Sequence, residues 1–238
     1  MNAPLRFGAS ACGGLKVRVG EAGVVLRPSG AMWLEAARAL VVADLHLEKG
    51  SYYAARGQML PPYDTAETLS RLEAEVDALA PAMIVALGDS FHDANGEARL
   101  APLALSRIAA LGFGRTLVWI TGNHDAAAEF SMAGEVIDEL ILGGLTLRHE
   151  PQAGDQPGEA AGHLHPCARV SGRGGTVRRR CFVTDGRRIV LPAFGAYAGG
   201  LNVKNAAFAP LFGDERPMAA ALGLGRVHAV GWGSLRGD

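Results

Sequence analysis

Short apolar runs alternate with amphipathic stretches through the first half of this chain. Arg38–Ala43, Met83–Leu87 and Thr116–Ile120 are short and almost continuously apolar, the pattern of strands buried on both faces. Between the first two, Asp64–Ala80 sets Leu69, Leu72, Val76 and Leu79 on one helical face. Between the last two, Glu97–Leu111 reads as a second helix. Strand, helix, strand, helix, strand over residues 38–121 predicts an α/β protein whose parallel sheet has right-handed crossovers. Upstream, Leu15–Val19, Val24–Arg27 and Met32–Glu35 read as short strands.

The second half changes period. Glu135–Leu140, Leu145–Arg148, Cys167–Val170, Val177–Val183, Arg188–Leu191 and Arg226–Val230 are β-rich, with turn signals at Gly143-Gly144, Gly174-Gly175 and Asp185-Gly186. Asp185-Gly186 predicts the clearest hairpin. Gln152–Ala161 is expected to be an exposed loop, and residues 1–14, with little pattern, a mobile N-terminus. Residues 15–238 are read as a single domain in which two β-rich halves pack face to face with helices outside.

Composition narrows the class. The 238 residues are 49% hydrophobic and 20% charged, the balance of a soluble globular protein with a sizeable core. A formal net charge of -1 announces no nucleic-acid partner. Its distribution is uneven: residues 1–150 hold 12 Lys/Arg against 18 Asp/Glu, and residues 151–238 hold 11 against 6. That asymmetry suits an anionic substrate, and it suits an ordinary solvated surface equally well. Cys12, Cys167 and Cys181 are odd in number and lack a C-x-x-C spacing, which fits a reducing compartment. No apolar run is long enough to span a bilayer and no signal-peptide pattern opens the chain, so the expected location is cytoplasmic, with no membrane partner.

The chemistry lies in five short blocks: Asp44-Leu45-His46, Gly88-Asp89, Gly122-Asn123-His124-Asp125, His149 and Gly162-His163-Leu164-His165. They contain five of the seven histidines, and each follows a predicted strand or sits at a strand edge. Any one block alone is an ordinary turn or surface pattern. Together their imidazoles, carboxylates and amide are the ligand set of two borderline-hard metal ions sharing a bridging carboxylate, which points to a two-metal hydrolase. In open α/β sheets the carboxyl ends of the strands line the ligand crevice, so Asp44, Asp89 and Asn123 can converge despite their separation in sequence. Asp44 and His46, like His163 and His165, have the two-residue spacing that points side chains the same way from extended backbone.

In this order the blocks resemble those of the calcineurin-like metallophosphoesterase family over about residues 38–165. The resemblance implies a four-layer α-β-β-α sandwich of two mixed sheets flanked by helices. It implies that one ion takes Asp44, His46 and His165, that the other takes Asn123, His149 and His163, and that Asp89 bridges them. His124 is then no ligand but faces the scissile phosphate, with Asp125 holding its ring. Two neighbouring dications lower the pKa of a bridging water, and the resulting hydroxide attacks phosphorus in line. A histidine opposite can protonate the leaving alkoxide.

Gly88-Asp89-Ser90-Phe91-His92 is similar to the block of nuclease members of that family, where the histidine lies beside the substrate. The stretch Lys49–Gly57 leading into Leu60–Thr65, and later Leu191–Val203, resemble the bacterial ligase-associated DNA damage response endonuclease subgroup, PdeM. That implies a DNA-repair phosphodiesterase, with a DNA ligase or helicase as partner. Tyr52 and Tyr53 follow the first block directly and are expected to stack on a base or sugar, with Arg56 meeting a phosphate; packing on the Pro61-Pro62 turn is the competing reading. Arg178-Arg179-Arg180 reads either as a phosphate-contacting patch or as a solvated strand face.

The leading expectation is therefore a phosphodiester hydrolase with two divalent ions, Mn²⁺ foremost and Fe or Zn as alternatives, acting as an endonuclease on DNA. A phosphatase or phosphodiesterase for nucleotides or other small phosphoesters is the alternative. A non-catalytic binding module on the same scaffold is the third class, and it is disfavoured because the chain keeps every ligand and His124.

Overall fold

Three apolar strands set the architecture, because successive side chains point to opposite faces. In Ala39–Ala43, Ala39, Val41 and Ala43 face one core while Leu40 and Val42 face another. Met83–Leu87 and Thr116–Ile120 divide in the same way, with Val85, Leu87, Val118 and Ile120 on one side and Ile84, Ala86, Leu117 and Trp119 on the other. A strand apolar on both faces needs a layer on each, and the fold supplies both.

The computed structural model describes residues 7–124, 132–172, 175–213 and 216–238. Chain order in the first half is β1 (Gly8–Ala9), β2 (Leu15–Val19), β3 (Ala22–Leu26), β4 (Met32–Leu34), β5 (Ala39–Ala43), α1 (Lys49–Ala54), α2 (Asp64–Leu79), β6 (Met83–Leu87), α3 (Gly96–Arg99), α4 (Pro102–Gly112), β7 (Thr116–Ile120) and β8 (Glu135–Ile137). These strands form an eight-stranded sheet in sequential order. It is antiparallel from β1 to β5 and parallel from β5 to β8. The second half gives β9 (Glu139–Leu142), β10 (Leu145–Arg148), β11 (Glu159–Ala161), β12 (Pro166–Gly172), β13 (Gly175–Thr184), β14 (Ile189–Val190), β15 (Leu201–Asn202), α5 (Ala209–Phe212), β16 (Met218–Gly223) and β17 (Arg226–Val230). They form a nine-stranded sheet, in which β13 pairs with β12, β14 and β16.

The largest core lies between the two sheets, where Val41, Val85 and Val118 meet Leu147, Ala160, Phe182 and Ile189. Helices α2 and α4 cover the far side of the first sheet through Leu69, Leu72, Val76, Ile108 and Leu111. Phe208, Leu211 and Phe212 cover the far side of the second. This is the expected sandwich of two mixed sheets with flanking helices. Among the described residues no helix is long and apolar enough to cross a membrane.

The sequence expectations need correction in several places. The helix expected over Glu97–Leu111 is two helices, because Pro102 holds Ala101 extended at φ -64°, ψ 148° and starts α4 as its first residue. Glu135–Leu140 is likewise two strands, one in each sheet. Gln152–Ala161 is not wholly an exposed loop: Glu159–Ala161 is a buried strand between β10 and β14. Buried Arg188 anchors the segment before it, donating to the carbonyls of Gln152 and Gly154, both at 2.8 Å. The short helix α1 and the strand β16 have no counterpart in the expectations. The Asp185-Gly186 hairpin forms as expected, with Val183 opposite Val190. Of the N-terminal stretch, residues 1–6 lie outside the described residues, and Ala9 pairs with Leu15.

Candidate metal centre

Register brings the five blocks together. Ala43, Leu87 and Ile120 are partners across the last rung of three adjacent parallel strands. Asp44, Gly88-Asp89 and Gly122-Asn123 follow at that level. In the second sheet Arg148, Ala161 and Val190 share the last rung, and His149 and Gly162-His163 follow. Both sheets thus end at one edge of the sandwich and deliver their polar residues into the same crevice.

Main-chain hydrogen bonds continue past the strands and lock the loops. His46 N–H donates to the Asp89 carbonyl at 2.9 Å, and Leu47 N–H to that of Ser90 at 2.9 Å. Asp44, His46, Asp89, His163 and His165 all adopt positive φ, between 43° and 67°. Non-glycine residues rarely accept that conformation, and it collects at sites where surrounding structure over-determines the backbone. Gly122 is there for space: a Cβ would lie 2.2 Å from the Asp89 nitrogen and 2.4 Å from its Oδ1. Gly122→Ala is expected to lower stability by about 1–3 kcal/mol, as overpacking does, and to displace Asp89. Thermal unfolding with metal analysis checks this, and wild-type values for both would show that the loop yields freely.

Two groups of ligand atoms result. Asp44, His46 and His165 form one, and Asp89, His149 and His163 the other, with the atoms of each group within 4.8 Å of one another. Asn123 joins the second, its Oδ1 lying 2.9 Å from His149 Nε2 and 3.0 Å from His163 Nδ1. Asp89 faces both groups: Oδ1 is 3.5 Å from His149 Nε2, and Oδ2 is 3.9 Å from His46 Nε2. All seven residues expected as ligands therefore converge.

The donor chemistry fits divalent cations. His149 Nδ1–H donates to the Leu87 carbonyl at 3.0 Å, which fixes the tautomer and leaves a lone pair on Nε2. That lone pair faces Asn123 Oδ1, Asp89 Oδ1 and, at 3.1 Å, His163 Nδ1. A single proton on His163 cannot satisfy so many acceptors, whereas a cation can. In the other group, His46 Nε2 and His165 Nε2 lie 3.1 Å apart, and buried His46 Nδ1 has no hydrogen-bond partner among the described residues. Burial, aided by the charges of His165, Lys49, His124 and His92, pushes the His46 pKa down to about 2. Burial and then His149 lower that of His163. Both rings are thereby held neutral, the form that ligates metal. The Asp44 carboxylate accepts from His163 N–H at 2.9 Å and 3.1 Å, tying the two sheets together at the site.

His124 stands on the exposed side. Its main-chain N–H donates to Asp89 Oδ1 at 2.9 Å, and its Nδ1–H to the His92 carbonyl at 2.9 Å. Nε2 is left pointing towards the centre, 3.8 Å from Asp89 Oδ2. Asp125, expected to orient this ring, lies outside the described residues. His92 stacks on His124 with centroids 5.6 Å apart, and its pKa falls to about 4, chiefly through burial.

Tyr52 and Tyr53 lie on α1, with His92 as their ring partner: Tyr52 meets it edge-on at 4.6 Å and Tyr53 stacks at 5.6 Å. Arg56 Cζ sits 3.5 Å from the Tyr52 ring centroid. These three residues form a rim around His92, which itself stacks on His124, with part of their surface already used in packing. Two features escaped sequence reasoning. Arg99 holds α3 to α1 by pairing with Asp93 and donating to Ser51 Oγ at 2.9 Å, which backs the His92 wall. Arg71 and Arg180 donate to carbonyls of the segment 193–198, which lies against Asp44 through the Gly195 N–H bond to the Asp44 carbonyl at 3.1 Å. Helix position and a run of arginines carry no local signal of such a contact.

Comparison with known proteins fits this geometry. The sequence model described as calcineurin-like phosphoesterase matches residues 37–187. The structure of the nuclease MPE of Pseudomonas putida is similar, with a TM-score of 0.69 and 30% identity, covering 91% of this chain and 100% of that one. No protein of curated function matches.

Proposed function

The chain belongs to the calcineurin-like phosphoesterase family, and from that premise we propose that residues 15–238 act as one domain that hydrolyses phosphodiesters in DNA, as an endonuclease in repair. It is a metal-dependent phosphoesterase. The proposal concerns the ions, their ligands and the substrate. One observation carries it: two ligand groups meet at Asp89, with the Nε2 of His124 turned towards them from the open side.

In this reading Asp44, His46 and His165 hold one divalent ion, Asn123, His149 and His163 hold the other, and Asp89 touches both. Mn²⁺ is the ion that the His, Asp and Asn set suits best, with Fe and Zn accommodated by the same donors. The ions supply an activated water and neutralise charge that develops on the phosphate. The Leu87 carbonyl keeps His149 in its ligating tautomer. The His92 carbonyl likewise fixes the Nδ1–H of His124, so that Nε2 is the atom that takes up a proton and, from the protonated ring, would give it to the leaving oxygen. Tyr52, Tyr53 and Arg56 form an aromatic and cationic rim that suits a nucleotide beside the scissile bond. The likeness to a solved nuclease supports a nucleic acid over small phosphoesters.

The expected result is Mn²⁺-dependent cleavage of plasmid or single-stranded DNA, faster than hydrolysis of phosphomonoesters. Gel assays beside a chromogenic monoester measure the two rates. Activity confined to monoesters would reject the nuclease reading and leave the small-phosphoester alternative.

A further inference from the structure

A second cationic feature lies outside the metal centre. Arg71 on α2, Arg179 and Arg180 on β13, and Ser29 line an open cleft of about 370 Å³. Its lining contains no Asp or Glu. The nearby carboxylate of Glu75 is taken by Arg27 at 2.7 Å. Glu67 comes no closer to Arg71 than 4.0 Å, and its own side chain is 60% exposed. Asp238 approaches Arg178, at 3.9 Å, on the neighbouring position of the strand.

The guanidiniums are fixed by neutral groups. Arg180 donates to the carbonyls of Ala193, Ala196 and Ala198 at 3.1, 2.9 and 3.3 Å. Arg71 donates to the Phe194 carbonyl and lies 4.9 Å from the Phe194 ring centroid. Its buried Nε has no hydrogen-bond partner among the described residues. Arg179 is exposed, donates to the Arg178 carbonyl at 3.1 Å, and passes over Gly223, where a Cβ would lie 3.9 Å from its Nε. Carbonyls orient these cations without neutralising them. Burial and mutual repulsion lower the pKa of Arg71, and burial lowers that of Arg180. Partly buried cations whose one carboxylate partner among the described residues, Glu67, is 4.0 Å away and largely solvated are costly, and an oxyanion that meets several forks at once relieves that cost.

We propose that the cleft lined by Arg71, Arg179 and Arg180 binds a phosphate group, either from the backbone of a nucleic acid or free in solution. The inference does not depend on the metal-centre reading. Arg179 is the residue to change, because it is exposed and holds no loop in place, whereas Arg71 and Arg180 support the segment beside Asp44. In calorimetry on the full-length, metal-loaded protein, inorganic phosphate is expected to show a binding event that Arg179→Glu weakens at least tenfold and Arg179→Gln weakens less. In anisotropy titrations with a phosphorothioate duplex, the Arg179→Glu variant is expected to bind more weakly, with a log–log salt slope smaller by about one. Loss in both titrations identifies a nucleic-acid phosphate as the source. Loss with inorganic phosphate alone identifies a free anion, and either result supports the site. Unchanged affinities in both titrations, with both variants melting as the parent does, overturn it. A protein that cleaves no DNA can still pass the phosphate test, so this inference and the nuclease reading fail separately.

Discussion

Asp89→Asn is expected to abolish turnover of a generic phosphodiester, with a loss on the order of 10³-fold or more, the upper end of what one preorganised electrostatic contact contributes. The substitution keeps shape and removes charge. The amide oxygen can still accept from His124 N–H, a bond of 2.9 Å in the native protein, so the loop has its anchor. What is lost is the anion between the two ligand groups, which the His149 and His46 nitrogens face at 3.5 and 3.9 Å. Two dications side by side repel, and a shared carboxylate offsets that repulsion. Elemental analysis should therefore show reduced metal content alongside the lost rate, while circular dichroism remains native. Near-normal hydrolysis by a folded Asp89→Asn protein would sink the two-metal assignment.

His124→Ala separates ligand from proton donor. Metal content is expected to stay at the wild-type level, because neither ligand group includes His124. Hydrolysis is expected to slow by about 10²–10⁴-fold, the usual contribution of a positioned general acid. The deficit should grow as the leaving group becomes a poorer one, since a good leaving group needs little protonation. The side chain is 40% exposed, so its removal leaves no buried cavity. A series of aryl and alkyl phosphodiesters with matched metal analysis is the measurement. Loss of a full metal equivalent would make His124 a ligand instead, and an equal deficit across the series would remove its proton-transfer role.

Much of this site is legible in the sequence. Each of Asp44, Asp89 and Asn123 lies within three residues of the end of an apolar run, and parallel strands of equal length end at one level. Periodicity therefore located the crevice, and residue chemistry suggested its occupants. The pattern weakened wherever contacts across the fold replaced local preference. Glu159–Ala161 looks like loop because Glu is uncommon in a buried strand. It is buried here because Arg148 and Arg188 surround that carboxylate at 3.3 and 3.4 Å. Tyr52 and Tyr53 read either as stacking faces or as packing on the Pro61-Pro62 turn, because nothing near them in sequence shows that His92, some forty residues on, packs against both.

The arginines make the same point. As a triplet, Arg178, Arg179 and Arg180 are one charge run, yet in the fold they diverge. Arg178 donates to the Gly200 carbonyl at 2.5 Å, Arg180 supports the segment beside Asp44, and Arg179 is left at the mouth of a cleft.

Sequence alone determined the strand cores and the order of the candidate ligand blocks and, through the family resemblance, pointed to the reaction class, because hydrophobic period is local and the residue types of the blocks are legible without their distances. Tertiary structure alone decided that the Leu87 and His92 carbonyls set the tautomers of His149 and His124, and that Arg71 meets Arg179 and Arg180 across one cleft. Those depend on distances between residues far apart in the chain, which register and sheet packing set and local pattern does not encode.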